Sequence, residues 1–406
     1  MGRNKKYDGY KAYQYLTPGI DYKVSKLREA IKEDWAYLVP LSSSEEERVA
    51  EILEKNVVID LHEHPVIFPE ESRENYIREG REICAYEALS HSGLDAVFDN
   101  LMNGSAYITS KRGWKWTDMI HDLGMRLCDI AHQDFIIHCK KIADIVAAYQ
   151  TGRLAWVAVL ESASCIENEV DRIDILYGLG IRVMGLTYSE SNMLGSGLGE
   201  LRDGGLTDFG YDAIIRMNKV KMLVDVSHCS DQTALDAIDA SKAPIIISHA
   251  GARALLPVPR LFPDEVLQTL AEKKGIIGIE AAPGYTATEE DPIPSIDTYM
   301  AHLEYCIELM GIDHVGCGPD TLYGDHVGFY RFEEQKLKTG GLGHYLRVKP
   351  KSDPTVADLP DYVKGMENPT ECMQNITRWL VKNGYSDQEI AKIIGGNALG
   401  FLNKVW

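Results

Sequence analysis

Eight short apolar runs, rich in β-branched residues and spaced along the chain by amphipathic stretches, constrain this sequence most. They are Val57–Asp60, Leu94–Phe98, Trp156–Leu160, Val183–Thr187, Met222–Val226, Pro244–Ile247, Gly275–Ile279 and His314–Gly318. Runs that are continuously apolar, rather than alternating, mark strands covered on both faces, as in parallel sheets. The stretches between them, such as Gly210–Val220 and Ser295–Met310, carry helical periodicity. Eight strands alternating with helices predict a (β/α)8 TIM barrel. A doubly wound open sheet is the alternative. The glycine-rich dinucleotide fingerprint that would follow its first strand is not present.

A barrel of this kind takes about 250 residues, and the chain has 406. The excess divides into an N-terminal helical extension over 1–56 and a barrel over 57–406 with insertions at 65–90 and 321–365. Within the extension, helices are expected over Tyr22–Tyr37 and Ser44–Lys55. The two insertions follow the first and last strands, so they belong to the end of the barrel where catalytic loops gather.

Composition excludes several classes of function. With 42 Lys plus Arg against 61 Asp plus Glu, the formal charge is −19, which disfavours nucleic acid and anionic membranes as partners. At 45% apolar and 25% charged, the chain is a globular enzyme in composition rather than a disordered one. The first residues lack the apolar core of a secretory leader. The eight cysteines include no CxxC pair, the usage of reduced thiols. A cytoplasmic location is expected.

The titratable residues fall at the ends of the strands. The first strand ends in Asp60-Leu-His62-Glu-His64, the third at Glu161, the fifth in Asp225-Val-Ser-His228, the sixth in Ser248-His249 and the eighth in Gly318-Pro-Asp320. Residues two apart on a strand share a face, so His62 and His64 are expected to point together. Four imidazoles and two carboxylates at the tips of five strands predict a pair of divalent metal ions. Glu161 is the natural bridge between them, and water held between two cations becomes a nucleophile near neutral pH. Asp320 would take that water's proton and pass it to the leaving group. Read singly, each is weak: His228 and His249 as buried core residues, Glu161 as a helix cap, Asp320 as a turn former. Their joint placement carries the metal reading. The remaining eight histidines are read as structural.

These residues also resemble the membrane (renal) dipeptidase family, zinc-dependent barrels of the amidohydrolase superfamily. The matching stretches are Val58–His62, Gly205–Gly210, Met222–His228, Ala243–His249, Tyr362–Pro369 and Ile394–Asn397. The resemblance implies that His62 and His64 bind one zinc, that Glu161 bridges, and that His228 and His249 bind the second. It also implies that Arg260 holds the substrate's terminal carboxylate, and that the protein is a homodimer acting on small molecules. The sequence departs from the family at four places. His64 replaces an aspartate ligand, Tyr188 replaces the histidine that polarises the substrate, Ala282 replaces an aromatic, and of the family's Asp-Phe-Asp-Gly only Asp320 remains. Tyr188 can still donate a hydrogen bond to an oxyanion but brings no positive charge.

The expectation is a metal-dependent hydrolase that cleaves a dipeptide or another small carboxylated amide, with Asp320 as acid and base. The alternatives are a non-peptide amidohydrolase, or a metal-dependent decarboxylase of the same superfamily with a single ion. A non-catalytic barrel is a further alternative, which the presence of Asp320 disfavours.

Overall fold

The computed structural model describes residues 6–30, 36–70, 81–101, 115–324, 360 and 362–406. Eight parallel strands form in chain order: β1 (Ile59–Ile67), β2 (Ala96–Asn100), β3 (Leu154–Leu160), β4 (Ile181–Gly185), β5 (Leu223–Asp225), β6 (Ile246–Ala250), β7 (Ile276–Ile279) and β8 (Val315–Cys317). Each pairs with its neighbours in sequence. Among the described residues three short strands join them: Ile83–Cys84 pairs antiparallel with β1, Ile136–His138 pairs parallel with β3, and β9 (Leu322–Tyr323) follows β8 and runs parallel to β1. Between the two, the Asp320 N–H donates to His62 O at 2.9 Å and the His64 N–H donates to Thr321 O at 3.0 Å. The eighth strand thereby carries the sheet round to the first, and the expected α/β barrel is what forms.

Every residue of β3 is buried, as its continuous apolar run requires. Its side chains divide between two packing layers with the period of a strand. Ala155, Val157 and Val159 join Ile59, Leu61, Phe98, Val183, Leu223, Ile246 and Ile276 in one core. Leu154, Trp156, Ala158 and Leu160 join the second core, which includes the helices between strands. Ala398, Phe401, Leu402 and Val405 also belong to the first core, so the C-terminal helix (Asn397–Leu402) packs against the strand starts. A Cβ at Gly395 would collide with the Val57 carbonyl, which lets this end of the chain approach the start of β1 closely. Asn397 fixes it there, donating to Ile312 O at 2.7 Å and Val315 O at 2.8 Å.

The N-terminal region departs from expectation in part. A helix does form over Ser43–Lys55. The helix expected over Tyr22–Tyr37 is not found across 22–30. Backbone groups there pair with the chain beyond β1 instead: Arg28 N–H to Phe68 O at 2.9 Å, and Glu70 N–H to Lys26 O at 2.8 Å. Those bonds hold 26–28 extended, and tertiary pairing overrides a helical pattern of this modest strength. Earlier in the chain, the Tyr10 hydroxyl and the Tyr13 N–H both donate to Asp129 Oδ1 at 2.7 Å. Tyr86 donates to the other oxygen of Asp129 at 2.8 Å, so 6–30 is tied to the barrel wall. Of the insertions, 71–80, 325–359 and 361 lie outside the described residues.

Candidate metal centre

The strand ends bring all six of the residues singled out above into one buried cluster. His228 Nε2 lies 2.8 Å from Glu161 Oε1, and His249 Nε2 lies 3.3 Å from the same oxygen. His62 Nε2 is 3.8 Å from it and 3.4 Å from Asp320 Oδ1. His64 Nε2 is 3.1 Å from Asp320 Oδ1. The His62 and His249 rings stack with centroids 3.5 Å apart.

Within this cluster, three sets of ligand atoms lie close enough to share an ion: His62, His64 and Glu161; Glu161, His228 and His249; and His62, His249 and Asp320. Glu161 belongs to two of the sets. The fit to a cation is visible in how closely the donor atoms crowd on one another. His228 Nε2 and His249 Nε2 face each other at 2.9 Å, and His62 Nε2 is buried without a hydrogen bond. Imidazole nitrogens and carboxylate oxygens converging in this way suit a borderline divalent ion such as zinc.

Electrostatics agree with that chemistry for the two carboxylates and for His228 and His249. Burial alone would raise the Glu161 and Asp320 carboxyls. The surrounding imidazoles instead hold both well below the usual carboxylate range, Glu161 through His228 and Asp320 through His62 and His64. Burial and Arg260 lower His228, and burial and His62 lower His249 further, so both are neutral donors. Burial also acts to lower His64, but the hydrogen bond to Asp320 pushes it up to about 9.

Several residues that position the cluster were not picked out from the sequence. Asn100 donates from Nδ2 to Glu161 Oε2, leaving Oε1 turned to the imidazoles. The sequence reading ended the second strand at Phe98; its true end two residues later would have been the signal. Asp225 accepts from the Ser227 hydroxyl at 2.6 Å and from the Ser248 hydroxyl. Ser248 Oγ in turn lies 2.8 Å from His249 Nδ1 and 3.4 Å from His62 Nδ1. A carboxylate and a hydroxyl behind the imidazoles fix ring orientation. A Cβ at Gly185, the last residue of β4, would collide with the Glu161 carbonyl. Asp320 itself has φ +57, a left-handed conformation that aspartate tolerates better than most residues.

Tyr188 is half-buried and stacks on His228 with centroids 4.2 Å apart. Arg260 is not a surface arginine. It is buried, donates from Nη1 to Ser227 O at 3.2 Å and from Nη2 to His249 O at 3.1 Å, and lies 2.6 Å from Glu280 Oε2. Burial pushes the Glu280 carboxyl up to about 8 against the pull of Arg260, with Asp320 and Glu161 adding to the rise.

Two of the histidines read as structural behave as such: His302 accepts from the Ala252 N–H at 3.1 Å, and His314 bonds to Gly275 O at 2.7 Å. His326 and His344 lie outside the described residues. None of the eight cysteines is paired, and seven of them are buried. Among the described residues no helix is long and apolar enough to cross a membrane.

Comparison with known proteins gives this arrangement a lineage. A dipeptidase of Claviceps purpurea is 27% identical over 286 residues, 70% of this chain and 58% of that protein. A dipeptidase of Aspergillus oryzae is 28% identical over 276 residues, 67% of this chain and 57% of that one. The chain thus spans somewhat under three fifths of the length of these curated relatives. An amidohydrolase from Pseudomonas aeruginosa has the same fold, with a TM-score of 0.72 at 24% identity, covering 88% of this chain and 99% of its own. Residues 46–329, which include every strand of the barrel and the whole cluster, match the membrane dipeptidase family (peptidase family M19), and the chain belongs to that family.

Proposed function

We propose that the protein is a metal-dependent hydrolase of small amides, with dipeptides as the first substrates to try. The observation that supports this most directly is the convergence of His62, His228 and His249 on one buried carboxylate, Glu161, with Asp320 beside His62 and His64. His62, His64 and Glu161 would hold one divalent ion and Glu161, His228 and His249 a second, zinc being the family's metal. Bound there, the ions would lower the pKa of a water to about 7 and polarise the scissile carbonyl.

The chain's own residues supply the rest. Asp320, kept ionised by its imidazole neighbours, accepts the proton of the attacking water. It then returns that proton to the leaving nitrogen, so one water is consumed across the C–N bond. The Tyr188 hydroxyl is the candidate donor to the carbonyl oxygen as negative charge gathers there. Asn100 and the Asp225–Ser248 pair keep Glu161, His62 and His249 in place. A decarboxylase with a single ion has less support, because Glu161 is common to two ligand sets. The unpaired thiols support a reducing, cytoplasmic location. The homodimer expected from the family is checked by light scattering.

The test is hydrolysis of L,L- and L,D-dipeptides, as free acids and as C-terminal amides, together with N-acyl amino acids. It uses purified protein reconstituted with zinc. Cleavage that a chelator abolishes and zinc restores is the expected result. Two bound ions per chain without cleavage of any member of the panel would overturn the amide reading.

A further inference from the structure

Arg260 stands behind His228 and His249, where the family resemblance puts the receptor for a substrate carboxylate. Its guanidinium is already committed. One donor goes to Ser227 O, one goes to His249 O, and the Nη2 group faces Glu280 Oε2 at 2.6 Å. Only 4% of the Arg260 side chain and 1% of the Glu280 side chain are exposed, so water screens neither. Glu280 directly follows β7 at its C-terminal end, the catalytic end of the barrel. The next residues are the small, buried Ala281 and Ala282, the second standing where the family pattern has an aromatic.

An incoming carboxylate has two ways to reach Arg260. It can displace Glu280, leaving a buried carboxyl without its cation, or it can crowd a second anion onto the same guanidinium. Both are unfavourable in a site shielded from water. A guanidinium does not give up its proton. Whether or not Glu280 is ionised, its oxygen 2.6 Å from Nη2 occupies space beside the guanidinium that a substrate carboxylate would need. A neutral carbonyl, amide or hydroxyl meets neither obstacle.

We propose that Glu280 is a specificity-determining residue that turns the charge of Arg260 inward, so that this end of the site takes an uncharged group and the preferred substrates are small amides without a terminal carboxylate. The proposal rests on the hydrolase reading above.

The test compares L-Ala-L-Ala with L-Ala-L-Ala amide on the zinc-loaded wild type and on Glu280→Ala, which removes both the carboxyl and its bulk from beside Arg260. Wild type is expected to favour the amide by about tenfold or more in kcat/KM. In the variant the free acid should gain about tenfold, chiefly as a lower KM, with the KM of the amide moving less than about threefold. Wild type favouring the free acid, or a variant with an unchanged ratio, would overturn the proposal. A melting curve shows whether the variant folds, and the wild-type ratio stands without it. Should neither peptide be cleaved, the hydrolase reading fails separately, and calorimetry with the same two peptides decides this one. Tighter binding of the amide by wild type supports it; equal binding, tighter binding of the free acid, or no binding of either overturns it.

Discussion

At the residue scale, the six side chains that meet in the buried cluster were legible because each stands at the end of an apolar run, where a barrel collects its chemistry. The residues that orient them were not. Asn100 and Ser248 are ordinary strand residues until the sheet closes and shows what they face, and Glu280 reads as a charged residue after a strand until Arg260 is seen against it. Two predictions belong here. Asp320→Asn should keep the bound metal yet lose about 10²–10⁴-fold in kcat, the contribution of a positioned acid–base group. Rate measurements beside metal analysis check both halves, and an unchanged kcat would remove Asp320 from the proton path. Asn100→Ala should weaken metal binding by about 10–100-fold, as loss of a group supporting a ligand does. Competition with a chromophoric chelator reads this, and wild-type affinity would leave Asn100 without a part in holding Glu161.

At the scale of elements, most strand ends were readable to within about three residues because burial on both faces leaves a continuous apolar run that little else explains, whereas β1 runs on to Ile67, past the end of its apolar run at Asp60. The N-terminal region was readable only where a helix carries its own signals. Ser43–Lys55 carries Glu45 in its first turn, which accepts from the Ser42 N–H at 2.7 Å. Tyr22–Lys26 lacks such local support, and pairing with 68–70 decides its shape. Much of the motif content that carries the family resemblance proves structural. Thr207 caps the helix Asp208–Val220, accepting from the Gly210 N–H at 3.0 Å. Asn368 caps Pro369–Lys382 through the Thr370 N–H at 2.9 Å. Gly395 gives the C-terminal segment its approach to β1. Gly395→Ala should therefore destabilise the fold by about 1–3 kcal/mol, the usual cost of forcing an extra group into packed structure. Denaturant unfolding measures it; a midpoint unchanged from wild type would show that the Val57 contact yields freely.

At the scale of the whole molecule, one buried imidazole away from the centre should cost stability in acid. Burial, with Lys140 adding to it, lowers the His138 imidazole to about 4, while its ordinary value is about 6.5. The ring packs edge-on to Trp156 at 5.2 Å, and a Cβ at Gly180 would run into it. The unfolded chain therefore takes up a proton near pH 6.5 that the folded chain refuses until about pH 4, so His138 lowers stability progressively as pH falls between those values. His138→Gln should therefore raise the melting temperature at about pH 4.5 relative to that at about pH 7 when compared with wild type, and a variant with the wild-type pH profile would place the effect elsewhere.

The central claim is that one carboxylate, Glu161, is shared by two ions in a barrel mouth built from five strand ends. Metal content per chain, measured by mass spectrometry after zinc reconstitution and removal of loose ions, tests it most directly. Two ions in the wild type, with a loss in His228→Ala, is the predicted result. A single ion, or two ions retained in His228→Ala, would contradict the shared centre.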